Sequence, residues 1–538
     1  MRDFSELYRA IDETTKTNAK LSALQSYLLK ASHEDAAWAV FFLSGERIKR
    51  LVNTRILREW AMHSSRMSDW LFEESYNWVG DLAETISLLV PTRAMETLGD
   101  LAYWVQHKIE PLKIVPLDRI HDELTLCWES IGPLERFIFL KLVTGGLRVG
   151  VSKRLVTRAI AEAFHLPTEL VAHRLTGTWQ PTADSFRKLI SDKTEVQIPS
   201  QPYPFCLATP IDIEPHLLGP VDDFLAEWKW DGIRAQLIKR SDQLYIWTRG
   251  EERVEERYPD VCLSAGNLPN GTVLDGEILA WQNNSPLPFS ELQKRLGRKT
   301  VSPKLIHDMP VIFLVYDLLE FNGQDVRAEP LVQRRQRLGE VLNDTDLRLS
   351  EQVSNSKHSS APNWSKLTQI RESSRSFGAE GLMLKRWDSP YQVGRVRGAW
   401  WKWKIEPLTI DAVLVYAQKG HGRRSSLFSD YTFALWDQDS LVPFAKAYSG
   451  LTDAEIREVD TIVKSNVKEK FGPVRAVAPI LVMELAFENI QLSNRHKSGF
   501  AVRFPRIVRW RKDKLARDAN SLDDLRDLVR VHGMEHES

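Results

Sequence analysis

The sequence has few cysteines, no long apolar run and no net charge. Its three cysteines, Cys127, Cys206 and Cys262, are too few and too scattered for a four-cysteine zinc site or a disulfide framework. No apolar stretch is long enough to cross a bilayer, and the amino terminus lacks the apolar core of a secretory signal. We therefore expect a protein of the reducing cytoplasm with no membrane partner.

The charges balance overall but are unevenly distributed. The chain has 72 basic and 72 acidic residues, so its net charge gives no hint of a partner. Basic residues are nevertheless concentrated in three islands, over residues 136–158, 395–424 and 495–517. One such island is usually a solvated face. Three islands in three different regions favour a shared polyanionic partner.

The length of the chain and its residue patterning predict three domains. A chain of 538 residues exceeds the size of a single hydrophobic core, about 250 to 300 residues. Residues 1–197 have apolar residues at helical spacing, and Ser152 is placed to cap a helix. A proline-bearing stretch near Pro199 to Pro204 then predicts a linker. Short apolar runs rich in branched residues predict strands over residues 205–406. Similar runs predict a smaller strand-rich domain over residues 409–538, with one helix over residues 453–471.

The segment around Lys229 has the pattern of an activated amine. In an extended strand Glu227, Lys229 and Asp231 share one face, while two tryptophans point to the other. An ordinary lysine, with a pKa of about 10.4, is only about a thousandth deprotonated at neutral pH. Nucleophilic use therefore needs burial or neighbouring positive charge. For a lone Lys-x-Asp-Gly, a structural ion pair with Glu227 or Asp231 is the better interpretation.

Later segments supply the groups that such a lysine would need. The carboxylates of Glu277 and Glu380 lie in apolar strands, where an unpaired charge is costly, and they are suited to Mg²⁺ with its bound phosphates. Lys402 and Lys404 alternate with tryptophans, which places both ammonium groups on one face. Tyr316 is placed to stack on a base, although a tyrosine in an apolar strand is more often part of a core.

Taken in order, these segments resemble the motifs of the covalent nucleotidyltransferases, and specifically of ATP-dependent DNA ligases of the compact bacterial type. The resemblance rests on Lys229-Trp230-Asp231-Gly232, Thr248-Arg249-Gly250, Asp275-Gly276-Glu277, Tyr316-Asp317, Glu380-Gly381-Leu382-Met383-Leu384-Lys385, Trp401-Lys402-Trp403-Lys404 and a final motif over residues 503–514. A full ordered set is far more specific than one match. Gly146-Leu147-Arg148-Val149-Gly150-Val151 extends the resemblance into the helical region.

The resemblance implies a multidomain architecture. Residues 1–197 would form an all-α DNA-binding domain, residues 205–406 an α+β adenylation domain, and residues 409–538 a β-barrel OB-fold domain with a C-terminal helix. It also implies ATP and Mg²⁺ as cofactors, with Mn²⁺ able to substitute. The partner would be nicked double-stranded DNA, encircled by a monomer in the cytoplasm or on the nucleoid.

Residue roles follow from the same resemblance. Lys229 would be the nucleophile that carries AMP. The ATP-binding residues would be Glu227, Arg234, Arg249, Glu277, Tyr316, Arg397, Lys402 and Lys404. Glu277 and Glu380 would bind metal, and Arg506, Arg511, Asp513 and Lys514 would face pyrophosphate. Arg148, Lys153 and Arg154 would contact DNA.

The sequence departs from the family pattern at two motifs, and other classes of protein share part of its chemistry. Tyr316 stands where phenylalanine is common, and Thr248-Arg249-Gly250 replaces Ser-Arg-Asn or Ser-Arg-Arg. An RNA ligase or an RNA-capping guanylyltransferase shares the lysine chemistry, but the helical region favours duplex DNA and a role in repair. An NAD-dependent ligase is disfavoured because the cysteines cannot form its zinc module. A catalytically silent nucleic-acid-binding scaffold would not need the full set of motif residues.

Overall fold

The structure is a computed structural model with two compact units. The first contains residues 1–23, 34–151 and 406–538, and the second contains residues 24–33 and 152–405. The described residues are 1–93, 99–176, 179–191, 199–296, 298, 300–353, 363–420, 427–471, 474–494 and 496–531. Parts of the 395–424 and 495–517 islands, and the predicted boundary at residue 197, lie outside them. No described helix is long and apolar enough to cross a membrane.

The described part of the first 191 residues contains helices and no strand, as the sequence predicts. The helices are α1 Arg2–Asp12, α2 Thr17–Lys30, α3 His33–Leu43, α4 Thr54–Ser65, α5 Asp69–Val79, α6 Leu82–Leu89, α7 Leu101–Tyr103, α8 Leu117–Glu129, α9 Pro133–Thr144, α10 Lys153–Ala163, α11 Thr168–Arg174 and α12 Ala183–Leu189. Helix α9 ends at Gly145, whose φ of 66° is left-handed. The hydroxyl of Ser152 accepts a hydrogen bond from the backbone N–H of Leu155 and caps α10, which confirms that prediction.

One member of the first basic island belongs to the interior of the first unit. Arg136 is fully buried, and its guanidinium donates to the backbone carbonyls of Trp128, Val90 and Ile131. These bonds satisfy the donors of a buried cation without a carboxylate. The interpretation of Arg136 as part of a polyanion-binding surface is therefore wrong, because charge spacing alone does not show which way a helical side chain points.

The described part of the middle region contains thirteen strands and five α-helices. The strands are β1 Cys206–Leu207, β2 Thr209–Pro210, β3 Phe224–Trp230, β4 Ile233–Arg240, β5 Gln243–Thr248, β6 Thr272–Gln282, β7 Ser285–Pro286, β8 Val311–Phe321, β9 Gln324–Asp325, β10 Arg348–Leu349, β11 Ala379–Arg386, β12 Gly394–Arg395 and β13 Trp400–Lys404. The helices are α13 Pro259–Ser264, α14 Phe289–Leu296, α15 Pro303–Asp308, α16 Leu331–Leu342 and α17 Trp364–Glu372.

Two main sheets organise this region. A larger sheet has the order β10-β8-β6-β4-β5, and a smaller sheet has the order β2-β13-β11-β3. One face of the larger sheet is covered by α13, α14 and α16 through Val261, Leu292 and Leu338. On its other face, Ile238 and Val273 lie in a core cluster with Trp400 of the smaller sheet. Each sheet therefore buries apolar side chains, and the smaller one presents the ends of β3, β11 and β13 side by side.

Where the C-terminal region is described, it contains nine strands and two α-helices. The strands are β14 Leu408–Lys419, β15 Phe428–Asp437, β16 Ser440–Ala447, β17 Val467–Phe471, β18 Val474–Val477, β19 Val482–Phe487, β20 Asn489–Leu492, β21 Phe500–Arg503 and β22 Arg506–Trp510, and the helices are α18 Asp453–Ser465 and α19 Leu522–Val531. The sheet has the order β16-β15-β14-β18-β17, and β19 joins β14 to β22. The predicted helix over residues 453–471 is too long, since α18 ends at Ser465 and the rest forms β17.

Candidate active site

Strand β3 presents Lys229 as its sequence predicts. Side chains alternate along a strand, so Glu227 and Lys229 share a face. On the opposite face Trp228 stacks on Phe377, with ring centroids 4.9 Å apart. The turn after β3 needs Gly232, because a Cβ there would lie 2.5 Å from the carbonyl oxygen of Ile278. The aromatic packing and the tight turn hold the lysine on a defined backbone.

A bulge in β11 brings Glu380 to Lys229. In the pairing of β3 with β11, Trp230 lies opposite Ala379 and Trp228 lies opposite Leu382, so Glu380 and its neighbouring glycine together face Lys229. A β-bulge of this kind re-aims side chains. The neighbouring residue must be glycine, since Gly381 has a φ of 138° and a Cβ would lie 2.3 Å from the carbonyl oxygen of Trp403.

The carboxylate of Glu380 binds two lysines at once. Its Oε2 lies 2.5 Å from Nζ of Lys229 and 3.2 Å from Nζ of Lys404. Burial would raise the pKa of Glu380, but the charges of these lysines and their hydrogen bonds hold it below its ordinary value. Lys229 therefore has an ion-pair partner other than Glu227 or Asp231, the two that its local sequence suggested.

Glu277 and Asp275 lie in β6, next to Arg234 of β4. Burial raises the pKa of Glu277 to about 8, although the positive charges of Lys229 and Arg234 oppose the increase. Asp275 is fully buried and, as expected of a carboxylate in an apolar strand, it has a partner. The guanidinium of Arg234 binds it at 2.7 Å and also donates to the carbonyl of Cys206 at 2.6 Å. Most of Arg234's donor capacity is thus used within the protein.

Further cations surround Lys229. Burial lowers the pKa of Lys402, and the positive charges of Lys404, Arg395, Lys229 and Arg249 lower it further. Burial and like charges also lower the pKa of Arg249. Cations that repel one another in this way create a site for a multiply charged anion. Arg397 lies exposed in the turn before β13, and the structure gives it no contact with this cluster among the described residues.

Glu227 lies in a buried network that the sequence analysis did not find. Its Oε2 is 2.5 Å from Nζ of Lys385, and its Oε1 is 3.2 Å from Nη1 of Arg335. Nζ of Lys385 also lies 4.3 Å from the ring centroid of Tyr316. Lys385 lies in an apolar strand, where an unpaired charge is as costly as at Asp275, so the sequence did indicate that Lys385 needs a partner. Arg335 gave no such signal, because it lies on a polar helix 108 residues from Glu227.

The final motif belongs to the first unit, where Asp411 binds two of its cations. Its buried carboxylate accepts from Arg511 at 2.8 Å and from Lys514 at 2.6 Å. A hydrogen bond from Arg511 also lowers the pKa of exposed Asp513 to about 2. Arg506 pairs instead with Glu488 at 2.9 Å. Asp411 was not predicted, because its partners lie about a hundred residues later in the chain.

The three predicted DNA contacts differ in their partners. Arg148 is exposed, and its backbone carbonyl accepts a hydrogen bond from Tyr8 at 3.0 Å. Nζ of Lys153 lies 2.5 Å from a carboxylate oxygen of Glu251. Arg154 is exposed and donates to the carbonyl of Arg395 at 3.2 Å. Only Lys153 therefore has its charge directly neutralised by a carboxylate in these described contacts.

The donor set fits Mg²⁺ bound together with phosphates. Among the described residues, no three His, Cys, Asp or Glu side chains converge on one point. Mg²⁺ is typically bound through one or two carboxylates with water and substrate phosphates. Glu277 and Glu380 offer two carboxylates next to the cation cluster, which matches that mode of binding.

Three family models match the chain in order. The DNA ligase N terminus matches residues 1–161, the ATP dependent DNA ligase domain matches residues 206–404, and the ATP dependent DNA ligase C terminal region matches residues 424–514. These matches and the sheets around Lys229 define a multidomain ATP-dependent ligase with a nucleotidyltransferase region and a C-terminal domain.

Whole-chain relatives identify the family more closely. The chain is 32% identical to the "Probable DNA ligase" of Koribacter versatilis, covering 98% of this chain and 96% of that one. The chain belongs to the ATP-dependent DNA ligases. It is also 26% identical to the "DNA ligase" of Thermococcus fumicolans over 98% of this chain and 97% of that one. A solved structure named Pmar-Lig_Pre has the same fold, with a TM-score of 0.62 and 14% identity over 95% of this chain and 99% of that one.

Proposed function

We propose that this ligase seals nicks in duplex DNA through a lysyl-AMP intermediate on Lys229. The observation that carries the proposal is the joint contact of Lys229 and Lys404 with Glu380, beside a cluster of mutually repelling cations. Burial or neighbouring positive charge favours a lysine nucleophile, and a triphosphate needs cations around it. Both needs meet at the ends of β3, β11 and β13.

The reaction proceeds in three balanced steps. The neutral amine of Lys229 attacks the α-phosphorus of ATP, a P–N bond forms, and pyrophosphate leaves. The 5′-phosphate at the nick then attacks the same phosphorus, so that the P–N bond breaks and a DNA-adenylate forms. The adjacent 3′-hydroxyl finally attacks the 5′-phosphate, which forms the phosphodiester bond and releases AMP. Loss of the lysine proton precedes the first step.

Residues around Lys229 have distinct proposed tasks. Lys402 and Lys404 bind the α-phosphate, and Arg249 binds the ribose or the phosphates. Glu277 and Glu380 would hold Mg²⁺, or Mn²⁺ in its place, and the bound metal would supply Lewis-acid stabilisation of the phosphate charge. Before nucleotide binds, Glu380 also has a structural task, because it holds Lys229 and Lys404 in place.

The nucleobase and the outer residues complete the set. Glu227 contacts adenine, and Tyr316 stacks on it. Arg234 contacts the ribose or the phosphates, and its hydrogen bonds to Asp275 and to the carbonyl of Cys206 hold it beside β6. Arg397 is assigned to ATP binding from the sequence resemblance alone. The residues proposed to face pyrophosphate are Arg506, Arg511, Asp513 and Lys514, and those proposed to contact DNA phosphates are Arg148, Lys153 and Arg154.

The domain assignment is also part of the proposal. Residues 1–197 form an all-α DNA-binding domain, residues 205–406 an α+β adenylation domain, and residues 409–538 a β-barrel OB-fold domain with C-terminal helix α19. Helices throughout the described part of the first region, and β19 joining β14 to β22 in the last, support it. We place the enzyme in the cytoplasm as a monomer that encircles nicked DNA during repair.

Nick sealing with matched substrates and nucleotides tests the proposal. The full chain with Mg²⁺ and ATP should join a labelled nick in a DNA duplex. Replacement of ATP by GTP should stop the reaction, which separates a ligase from a guanylyltransferase. Equal or better joining of a nick in an RNA duplex would favour the RNA-ligase alternative. No covalent nucleotide on the protein under any of these conditions would contradict the proposal.

A further inference from the structure

Lys385 is a buried cation beneath the proposed nucleobase site. Its side chain is about 2% exposed, and its Nζ lies 4.3 Å from the ring centroid of Tyr316 and 4.4 Å from that of Trp400. A buried lysine is costly unless it is paired. Two aromatic faces and one carboxylate, that of Glu227 at 2.5 Å, provide that compensation. The rings thus fix the ammonium group in place.

Lys385 in turn fixes one side of Glu227. The carboxylate of Glu227 is also 2% exposed, and Lys385 binds its Oε2 while Arg335 binds its Oε1. Arg335 is itself held, because it donates to the carbonyl of Ser350 at 2.6 Å. With each oxygen bound to a different cation, the carboxylate has one defined orientation. Removal of either cation frees one oxygen and allows the carboxylate to rotate.

We propose that Lys385 is a positioning residue that sets the preference for a 6-amino over a 6-oxo purine through Glu227. The inference rests on the proposed contact of Glu227 with the nucleobase. A 6-amino group donates hydrogen bonds to a carboxylate, whereas a 6-oxo group places an acceptor against it. The carboxylate of Glu227 would reject the 6-oxo group strongly only while the carboxylate cannot rotate away from it.

The test compares ATP with inosine triphosphate, which carries a 6-oxo group and lacks the 2-amino group of GTP. Initial rates of covalent nucleotide formation are measured with both labelled nucleotides for the wild type and Lys385→Met. We expect the ATP preference in kcat/KM to fall about tenfold or more, the loss typical of a hydrogen bond to a charged group. The fall should come mainly through a higher KM for ATP, because Lys385 touches no reacting atom.

A matched buried ion pair controls for lost stability. Arg240 is 7% exposed, pairs with Glu320 at 2.5 Å, and donates to the carbonyl of Gln201. Arg240→Met should lower thermal stability as Lys385→Met does, and should leave the ATP preference unchanged. An unchanged preference in Lys385→Met, or an equal loss in Arg240→Met, would overturn the inference.

A coupling test keeps the inference falsifiable if Lys385→Met does not fold. The double variant Glu227→Gln/Lys385→Met leaves no unpaired charge between these two residues. If Lys385 acts through Glu227, the double variant should have the same ATP preference as Glu227→Gln alone. A further loss in the double variant would overturn the inference. Absence of covalent AMP on the wild type would instead contradict the proposed function, so the two failures are distinguishable.

Discussion

Nζ of Lys229 lies 2.5 Å from Oε2 of Glu380, an oxygen that also lies 3.2 Å from Nζ of Lys404. The bulge in β11 creates this arrangement, because two residues of β11 face Lys229. The ion pair orients the Lys229 side chain and engages its Nζ with a carboxylate oxygen. Because this contact engages Nζ of Lys229, we expect nucleotide binding to displace it before the amine attacks.

The first prediction concerns the two carboxylates. Glu380→Gln and Glu277→Ala should each slow formation of lysyl-AMP at saturating ATP by about tenfold or more. Each variant removes a carboxylate ligand of the metal that would stabilise the phosphate charge. Excess chelator should stop the wild type, and Mn²⁺ should restore it. Glu291→Gln is the matched control, since Glu291 also pairs with a lysine, at 2.5 Å, on α14 and outside the Lys229 cluster. Full activity of both variants, or full activity of the wild type in excess chelator, would contradict the metal assignment.

The second prediction concerns DNA binding. Arg148→Ala should reduce the slope of log affinity against log salt by about one, the effect of one lost phosphate contact. Lys153→Ala should reduce it less, because Lys153 already pairs with Glu251. Nick affinity is measured at several salt concentrations, with Lys188→Ala as a control in which an exposed lysine outside the island loses its charge. If Arg148→Ala and Lys188→Ala have equal slopes, Arg148 does not contact phosphate.

The third prediction concerns pH. His173 stacks on Tyr203 with ring centroids 5.3 Å apart, and burial together with the charges of Arg327 and Arg240 lowers its pKa to about 4. Between pH 6.5 and about 4 the unfolded chain binds a proton at His173 that the folded chain does not. This histidine therefore destabilises the fold progressively as pH falls through that window.

Thermal unfolding measured from pH 7 to pH 4.5 checks the sign. His173→Phe keeps an aromatic ring against Tyr203 and should lose less stability on acidification than the wild type. His307→Gln, at a histidine whose side chain is 91% exposed, should follow the wild type. A steeper loss in His173→Phe than in the wild type would show that His173 is charged in the folded protein.

Local patterns predicted the elements well. The alternation around Lys229 predicted a strand with two tryptophans on its far face, and the structure confirms this in β3. The apolar runs around Glu277 and Glu380 lie in β6 and β11. The expected helix over residues 453–471 was wrong at its end, because Val467–Phe471 pairs with β18 as a strand. Strand pairing of this kind depends on distant partners.

Contacts between distant segments were not predictable. The bulge that brings Glu380 to Lys229 depends on pairing between residues 151 positions apart. The sequence likewise gives no spacing signal for Arg511 with Asp411. Arg136 looked like part of a basic surface, yet it is buried among backbone carbonyls. Charge counts describe a segment, whereas burial depends on how helices pack.

The most direct test of the account is the mapping of covalent AMP on the full chain. After incubation with α-labelled ATP and Mg²⁺, the label should map to the peptide that contains Lys229. Lys229→Ala should take no label and seal no nick from ATP, but should still seal a nick adenylated beforehand, because the last step does not use the amine. Lys239→Ala, in β4, the next strand along the chain, should be labelled like the wild type. Label on the Lys229→Ala protein, or wild-type label on another residue, would contradict Lys229 as the nucleophile.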